Sequence, residues 1–369
     1  MSGKMFLFLL MVVCLVEPDL LAQTSDSSSI KIPDNRFLRW DKNNDRRLSR
    51  DELPEALRGN FERVDVDQNG WISLNEHLKF INRNVKGTDG SKTQARAYKN
   101  LEYVGDGHER HRLDLYVPYS QGRSKKVPLV IWVHGGAWRQ GSKERFAHLD
   151  LLLDNGFAVA CVNYRLSQHA IFPAQIHDCK AAVRFLRKNA ERFGLDSTQF
   201  GAWGSSAGGH LVALLGTSAN VSELEGDLDN QEVSSRVQAV CDWYGPTDLL
   251  GMNQQAGEKG KIDHDAADSP ESLLTGAPIQ SVPEKAERIN PIRYVTSDDP
   301  PFLIMHGDRD YLVPRQQSEL LNAALQKVGV STKFVLVPDA GHGFTKHREH
   351  QRAIDFFSQQ LTKKSGVGK

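Results

Sequence analysis

From about residue 99 onward, short apolar runs alternate with stretches in which apolar residues recur every three or four positions. Residues 112–117, 128–133, 157–164, 200–203, 237–243, 302–305 and 333–337 read as strands, and several are apolar throughout. Continuous apolarity is what a parallel strand covered on both faces requires. Residues 145–154, 173–192, 207–216, 315–328 and 348–361 read as helices. In the second of these, Ile176, Cys179, Val183, Leu186 and Ala190 step by three and four, which lines up one buried face. The alternation predicts an α/β fold, a mostly parallel sheet with helices on both faces and a site at the C-terminal ends of the strands. Residues 248–290 interrupt the alternation. They are polar, with Gly251, Gly257, Gly260, Pro270 and Gly276, and are expected to form an insertion or partial lid near the site.

The chain ahead of residue 99 is organised differently. Residues 5–16 are nearly all apolar behind Lys4, and Leu20-Leu21-Ala22-Gln23 follows, the pattern of a secretory signal peptide over residues 1–23. That run is too short to cross a bilayer as a helix, so no stable membrane span is expected. The mature chain is expected to be secreted or periplasmic. Residues 34–84 read as a separate unit, residues 85–98 as a polar linker, and residues 99–369 as the catalytic domain.

Four short motifs, each at the end of a strand, carry candidate chemistry. Gly204-Ser205-Ser206-Ala207-Gly208 joins a strand to a helix and fits a nucleophile elbow centred on Ser206, with the Ala207 N–H as an oxyanion donor. Ser205 is the rival nucleophile, outside the flanking glycine register. His134-Gly135-Gly136-Ala137-Trp138 follows another strand, and the N–H groups of Gly136 and Ala137 complete the predicted oxyanion hole. His134 is expected to brace this loop and Trp138 to wall the acyl pocket. Asp310, in His306-Gly307-Asp308-Arg309-Asp310, is the predicted acid, with Asp308 competing. His342, on the Gly-flanked loop 338–344, is the predicted base and completes the order Ser, Asp, His. His347 and His350 are expected to face solvent.

With these residues in view, residues 110–360 resemble the α/β-hydrolase esterase and lipase group. They look closest to the branch of hormone-sensitive-lipase-like esterases and bifunctional feruloyl/acetylxylan esterases. The resemblance rests on HGGAWRQGSK, NYRLS, FPAQIHDCKAAVRFL, WGSSAGGHLVALLG, DWYGPTDL, PPFLIMHGDRDYLVP and DAGHGF. It implies a serine hydrolase of short acyl esters, acting on a small ester or an acylated polysaccharide. A prolyl-oligopeptidase-like serine peptidase shares the fold and the triad order. A non-catalytic calcium-dependent binding protein is the third reading.

Within residues 34–84, two loops repeat one spacing. Asp41, Asn43, Asp45, Arg47, Ser49 and Glu52 occupy the ligand positions of the first, and Asp65, Asp67, Asn69, Trp71, Ser73 and Glu76 those of the second. Both resemble EF-hand loops, in which side-chain oxygens, one backbone carbonyl and a bidentate Glu hold calcium. An EF-hand pair binding calcium for structure or regulation is therefore expected, with a dockerin-like pair as the rival and no cofactor for catalysis. Gly70 stands at the sharp turn of the second loop. Arg46 replaces it in the first, which should weaken that site. Leu53, Leu57, Phe61 and Val64 predict one face of a helix over 52–64, and Leu48 should meet Ile72 in a short strand pair.

Lys+Arg and Asp+Glu both number 46, giving zero formal charge, so no general basic face for nucleic acid is expected. Beyond Cys14, Cys161, Cys179 and Cys241 read as buried core thiols, with one disulfide open among them.

Overall fold

The computed structural model describes residues 40–43, 45, 47–65, 69–73, 76–77, 95–119, 126–144, 146–219, 221–344 and 347–362. The signal-peptide segment, Arg46 and Asp67 lie outside these. The chain divides after Gly90 into two compact units.

In the first unit, β1 (Arg47–Leu48) pairs antiparallel with β2 (Ile72–Ser73), and Leu48 stands opposite Ile72. Leu48, Leu53, Phe61, Val64 and Ile72 form a small core with Trp40 against it. The helix expected over 52–64 is broken. A 3-10 turn at Arg50–Glu52 ends in an extended Leu53, and a 3-10 run at Glu55–Asn60 precedes one α turn at Phe61–Val64. Pro54 lacks the N–H that would continue a helix through Leu53. The tighter 3-10 winding turns Leu57 off the expected face, to 37% exposure. Residues 53–64 thus hold a 3-10 run and one α turn in place of the continuous helix expected over 52–64.

In the second unit, β3 (Ala95–Glu102), β4 (Arg112–Pro118), β5 (Val127–Val133), β6 (Ala158–Val162), β7 (Leu195–Ser205), β8 (Ala239–Trp243), β9 (Phe302–Gly307) and β10 (Thr332–Val337) form one sheet. Its order is β10-β9-β8-β7-β5-β6-β4-β3. Neighbours from β10 through β6 are parallel, whereas β4 runs antiparallel to both β6 and β3. β3 takes in Ala95–Tyr98, which the polar composition had assigned to the linker. It is an edge strand, largely exposed, so no apolar run marks it.

The main helices are α1 (Leu149–Asp154), α2 (Ala174–Lys188), α3 (Ala207–Thr217), α4 (Gln316–Lys327) and α5 (His347–Leu361). Alternate residues of β5 feed the two faces of the sheet. Leu129, Ile131 and Val133 pack with Ile176 and Val183 of α2 and Leu211 of α3. Val130 and Trp132 pack with Leu152 of α1 and Phe357 of α5. The helix expected over 173–192 breaks at Asn189, whose side-chain amide donates to the Phe185 carbonyl at 2.9 Å in competition with the backbone. His350 is buried against Trp243 rather than solvent-facing, because the apolar side of α5 covers the sheet there.

Cys161, Cys179 and Cys241 are free and buried, so no disulfide joins them. Burial pushes each thiol up, Cys161 to about 12, which keeps it protonated and unreactive. Among the described residues no helix is long and apolar enough to cross a membrane.

Candidate active site

β7 ends at Ser205 and α3 begins at Ala207, leaving Ser206 at the turn with φ 55° and ψ −124°. That conformation is sparse for a residue with a side chain and needs support from its surroundings. The Ser206 N–H donates to the Trp243 carbonyl at 2.8 Å, and its carbonyl accepts the His210 N–H at 3.0 Å. Two glycines permit the tight approach of strand and helix. A Cβ on Gly204 would lie 2.2 Å from the Gly208 carbonyl oxygen, and one on Gly208 would lie 2.1 Å from that of Val133.

Three expected residues converge on this turn. Ser206 Oγ lies 2.9 Å from His342 Nε2, and His342 Nδ1 lies 2.7 Å from Asp310 Oδ2. Asp310 Oδ1 accepts the N–H groups of Leu312 at 2.9 Å and Val313 at 3.0 Å. Burial alone would raise the Asp310 carboxyl. Hydrogen bonds from His306 and His342 overcome it and hold the group well below the usual carboxylate range. Asp308 is exposed, and it is Asp310 that meets the imidazole. It is Ser206, not Ser205, that meets the imidazole, and burial pushes the Tyr244 hydroxyl up to about 12.

β5 runs into the loop 134–138, where Gly136, Ala137 and Trp138 all have positive φ, at 115°, 54° and 54°. This left-handed run curls the loop back over itself, and the Gly136 carbonyl accepts the N–H groups of Arg139 and Gln140. Gly136, Ala137 and Ala207 line the same cleft as Ser206. Their N–H groups meet no backbone acceptor among the described residues.

His134 braces this loop. Arg110 Nη2 lies 2.9 Å from His134 Nε2, and a guanidinium can only donate, so Nε2 accepts. The proton therefore sits on Nδ1, which donates to the Gly135 carbonyl at 2.8 Å. The Tyr164 ring stacks on the imidazole, and its hydroxyl donates to the His134 carbonyl at 3.0 Å. Trp138 lines the cleft while its Nε1 donates to His210 Nδ1 at 3.2 Å, and His210 Nε2 donates to the Ile289 carbonyl. Burial pulls His210 down to about 4, consistent with a neutral ring.

The cleft in front of Ser206 has a volume of about 390 Å³. One part of its wall comes from the insertion expected over 248–290, through Ile262, His264, Pro270 and Glu271. A second hollow of about 400 Å³ shares Ser205, Tyr244 and His342 with it and is lined by Trp132, Phe146 and Trp243. Tyr244, Arg110, His264 and Glu271 were not singled out from sequence. No local motif marks them, since each reaches the site across the fold.

The BD-FAE family model matches residues 113–325, more than half of the chain. The chain belongs to the BD-FAE family. This BD-FAE member is 34% identical over 224 residues to "Esterase LipC" of Mycobacterium tuberculosis, covering 60% of this chain and 54% of LipC. It is 30% identical over 244 residues to "Esterase LipQ" of the same organism, covering 65% of this chain and 56% of LipQ. The chain thus spans about half the length of these curated relatives. It also superposes on a solved structure described as a truncated form of carbohydrate esterase from gut microbiota, with 34% identity and a TM-score of 0.66. That match covers 74% of this chain and 99% of the other.

In the first unit the expected metal loops share one internal pattern. Asp45 N–H donates to Asp41 Oδ1 and Asn43 Oδ1 at 3.1 and 3.0 Å, and Arg47 N–H donates to Asp45 Oδ1 at 2.8 Å. Asn69 N–H donates to Asp65 Oδ1 at 3.1 Å, and Trp71 N–H donates to Asn69 Oδ1 at 2.9 Å. In each loop a serine N–H, of Ser49 or Ser73, donates to Oε2 of Glu52 or Glu76. Gly70 has φ 82°, as its turn requires. The donor set is oxygen only, which suits a hard cation. Among the described residues no three His, Cys, Asp or Glu side chains gather as a metal cluster, and Asp67 lies outside them.

Proposed function

We propose that this protein is a carboxylic ester hydrolase that cleaves short acyl esters through an acyl-enzyme on Ser206. The observation that carries this reading is the line Ser206 Oγ, His342, Asp310, with hydrogen bonds of 2.9 and 2.7 Å, opening on a cleft. Asp310 holds the His342 Nδ1 proton, which leaves Nε2 as the base. His342 takes the Ser206 hydroxyl proton as Oγ bonds to the ester carbonyl carbon. The N–H groups of Gly136, Ala137 and Ala207 receive the negative charge on the carbonyl oxygen, at the N-terminus of α3. The intermediate collapses, the C–O bond to the alcohol breaks, and His342 passes its proton to the leaving oxygen. Water, deprotonated by His342, then releases the acid and restores Ser206.

The relatives named as esterases support ester cleavage, and the one named a carbohydrate esterase supports a carbohydrate ester as substrate; we propose acetyl-type esters as its acyl class. We propose further that the chain is secreted behind residues 1–23. In this reading the loops 41–52 and 65–76 hold calcium through the oxygens named above, which would clamp the first unit.

The test is hydrolysis of nitrophenyl esters from acetate to decanoate, plus a ferulate ester, by wild type and Ser206→Ala. Serine-dependent cleavage peaking at acetate is the expected result. Cleavage of no ester would sink the reading.

A further inference from the structure

The Ser206 cleft contains a second imidazole–carboxylate pair that the mechanism above does not use. His264 and Glu271 both line the cleft, at 2% and 3% exposure, and His264 Nδ1 lies 3.0 Å from Glu271 Oε1. The pair is fixed from behind. The His264 N–H donates to Asn253 Oδ1 at 2.7 Å, and the Asn253 amide donates to Asp263 Oδ1 at 2.7 Å. The two remaining polar atoms, His264 Nε2 and Glu271 Oε2, are buried and meet no hydrogen-bond partner among the described residues. Buried polar atoms are nearly always paired, and a half-satisfied buried network is costly. Ile262, Pro270 and Val313, which line the same cleft, are apolar and offer no polar side chain.

We propose that His264 and Glu271 form a hydroxyl-recognition site, selecting esters whose alcohol part is a sugar or comparable polyol. Glu271 Oε2 accepts from one substrate hydroxyl and His264 Nε2 pairs with its neighbour, so a vicinal diol satisfies both orphaned atoms. A site built to bond a hydroxyl discriminates against a substrate lacking it, because its own polar groups then stay unpaired. This inference rests on the ester-hydrolase reading of Ser206.

The test compares wild type, Glu271→Gln and His264→Gln on two acetates. One is 4-nitrophenyl acetate, which carries no hydroxyl; the other is a mono-O-acetylated methyl β-xylopyranoside. Each substitution is expected to lower kcat/KM on the sugar acetate at least about tenfold, mainly through KM, and to leave nitrophenyl acetate within about twofold. Equal loss on both substrates, or no loss on either, overturns the proposal. So does a wild type that cleaves nitrophenyl acetate but not the sugar acetate. A wild type inert on both refutes the ester-hydrolase reading, and the recognition site falls with it. Should the variants fail to fold, inhibition of wild-type nitrophenyl acetate hydrolysis reads the same site. Methyl β-xylopyranoside should compete and its permethylated derivative should not; equal inhibition, or none, overturns the assignment.

Discussion

His306 stands behind Asp310, with its Nε2 3.3 Å from Asp310 Oδ2 and 2.9 Å from the Val313 carbonyl. A carbonyl can only accept, so Nε2 carries a proton, and Nδ1 lies 2.8 Å from the Ser318 hydroxyl. Asp310 therefore receives an imidazole from His306 and another from His342, besides two backbone N–H groups. That surrounding keeps the carboxylate ionised despite its burial and orients the ring that faces Ser206.

Asp310→Asn should lower turnover by about 10³- to 10⁴-fold, because the amide no longer selects the productive tautomer of His342. Its effect on stability should depend on pH. The native Asp310 carboxyl titrates below its usual range, so its stabilising contribution is present above the unfolded value near 3.9. It is lost as the pH falls through the native value. The melting-temperature gap between wild type and Asp310→Asn should hold steady near neutrality and narrow below about pH 4. A gap unchanged down to about pH 3 would contradict this.

Ser206→Ala and Ser206→Gly should both cut kcat by at least about 10⁴-fold, since each removes the nucleophile. They should differ in stability. The positive φ at Ser206 costs a residue with a Cβ about 1 kcal/mol or more, and glycine does not bear that cost. Calorimetry should place the Gly variant about 2–4 °C above the Ala variant in Tm. Equal melting temperatures would mean that the turn holds no strain.

Calcium should raise the melting temperature of the chain, and EDTA should reverse the rise. Glu76→Gln, in the loop with Gly70 at its turn, should weaken the effect more than Glu52→Gln, in the loop with Arg46. A melting curve indifferent to both calcium and EDTA would remove the metal from the description of this unit.

Much of the site was legible because it consists of short-range patterns. Gly204, Ser206 and Gly208 mark a turn that only small residues flanking the serine permit, and Gly136 marks a left-handed bend. The errors have physical reasons too. Edge strand β3 lacks an apolar run because its faces are largely exposed. The helical face through Leu57 misled because an apolar period of three to four does not separate α from 3-10 winding. His350 looked like a surface residue because a polar side chain carries no sign of which face of its helix meets the sheet.

The sequence by itself determined the α/β order of elements and the residue types in four loops at strand ends, since periodicity and turn chemistry are local properties. Which atoms meet was decided by the tertiary structure alone. Ser206 and His342 stand 136 positions apart, and Arg110 and His134 belong to segments that no shared motif links. These contacts depend on the sheet order β10-β9-β8-β7-β5, which sets the ends of distant strands side by side, and on the insertion that carries His264 and Glu271 into the cleft wall.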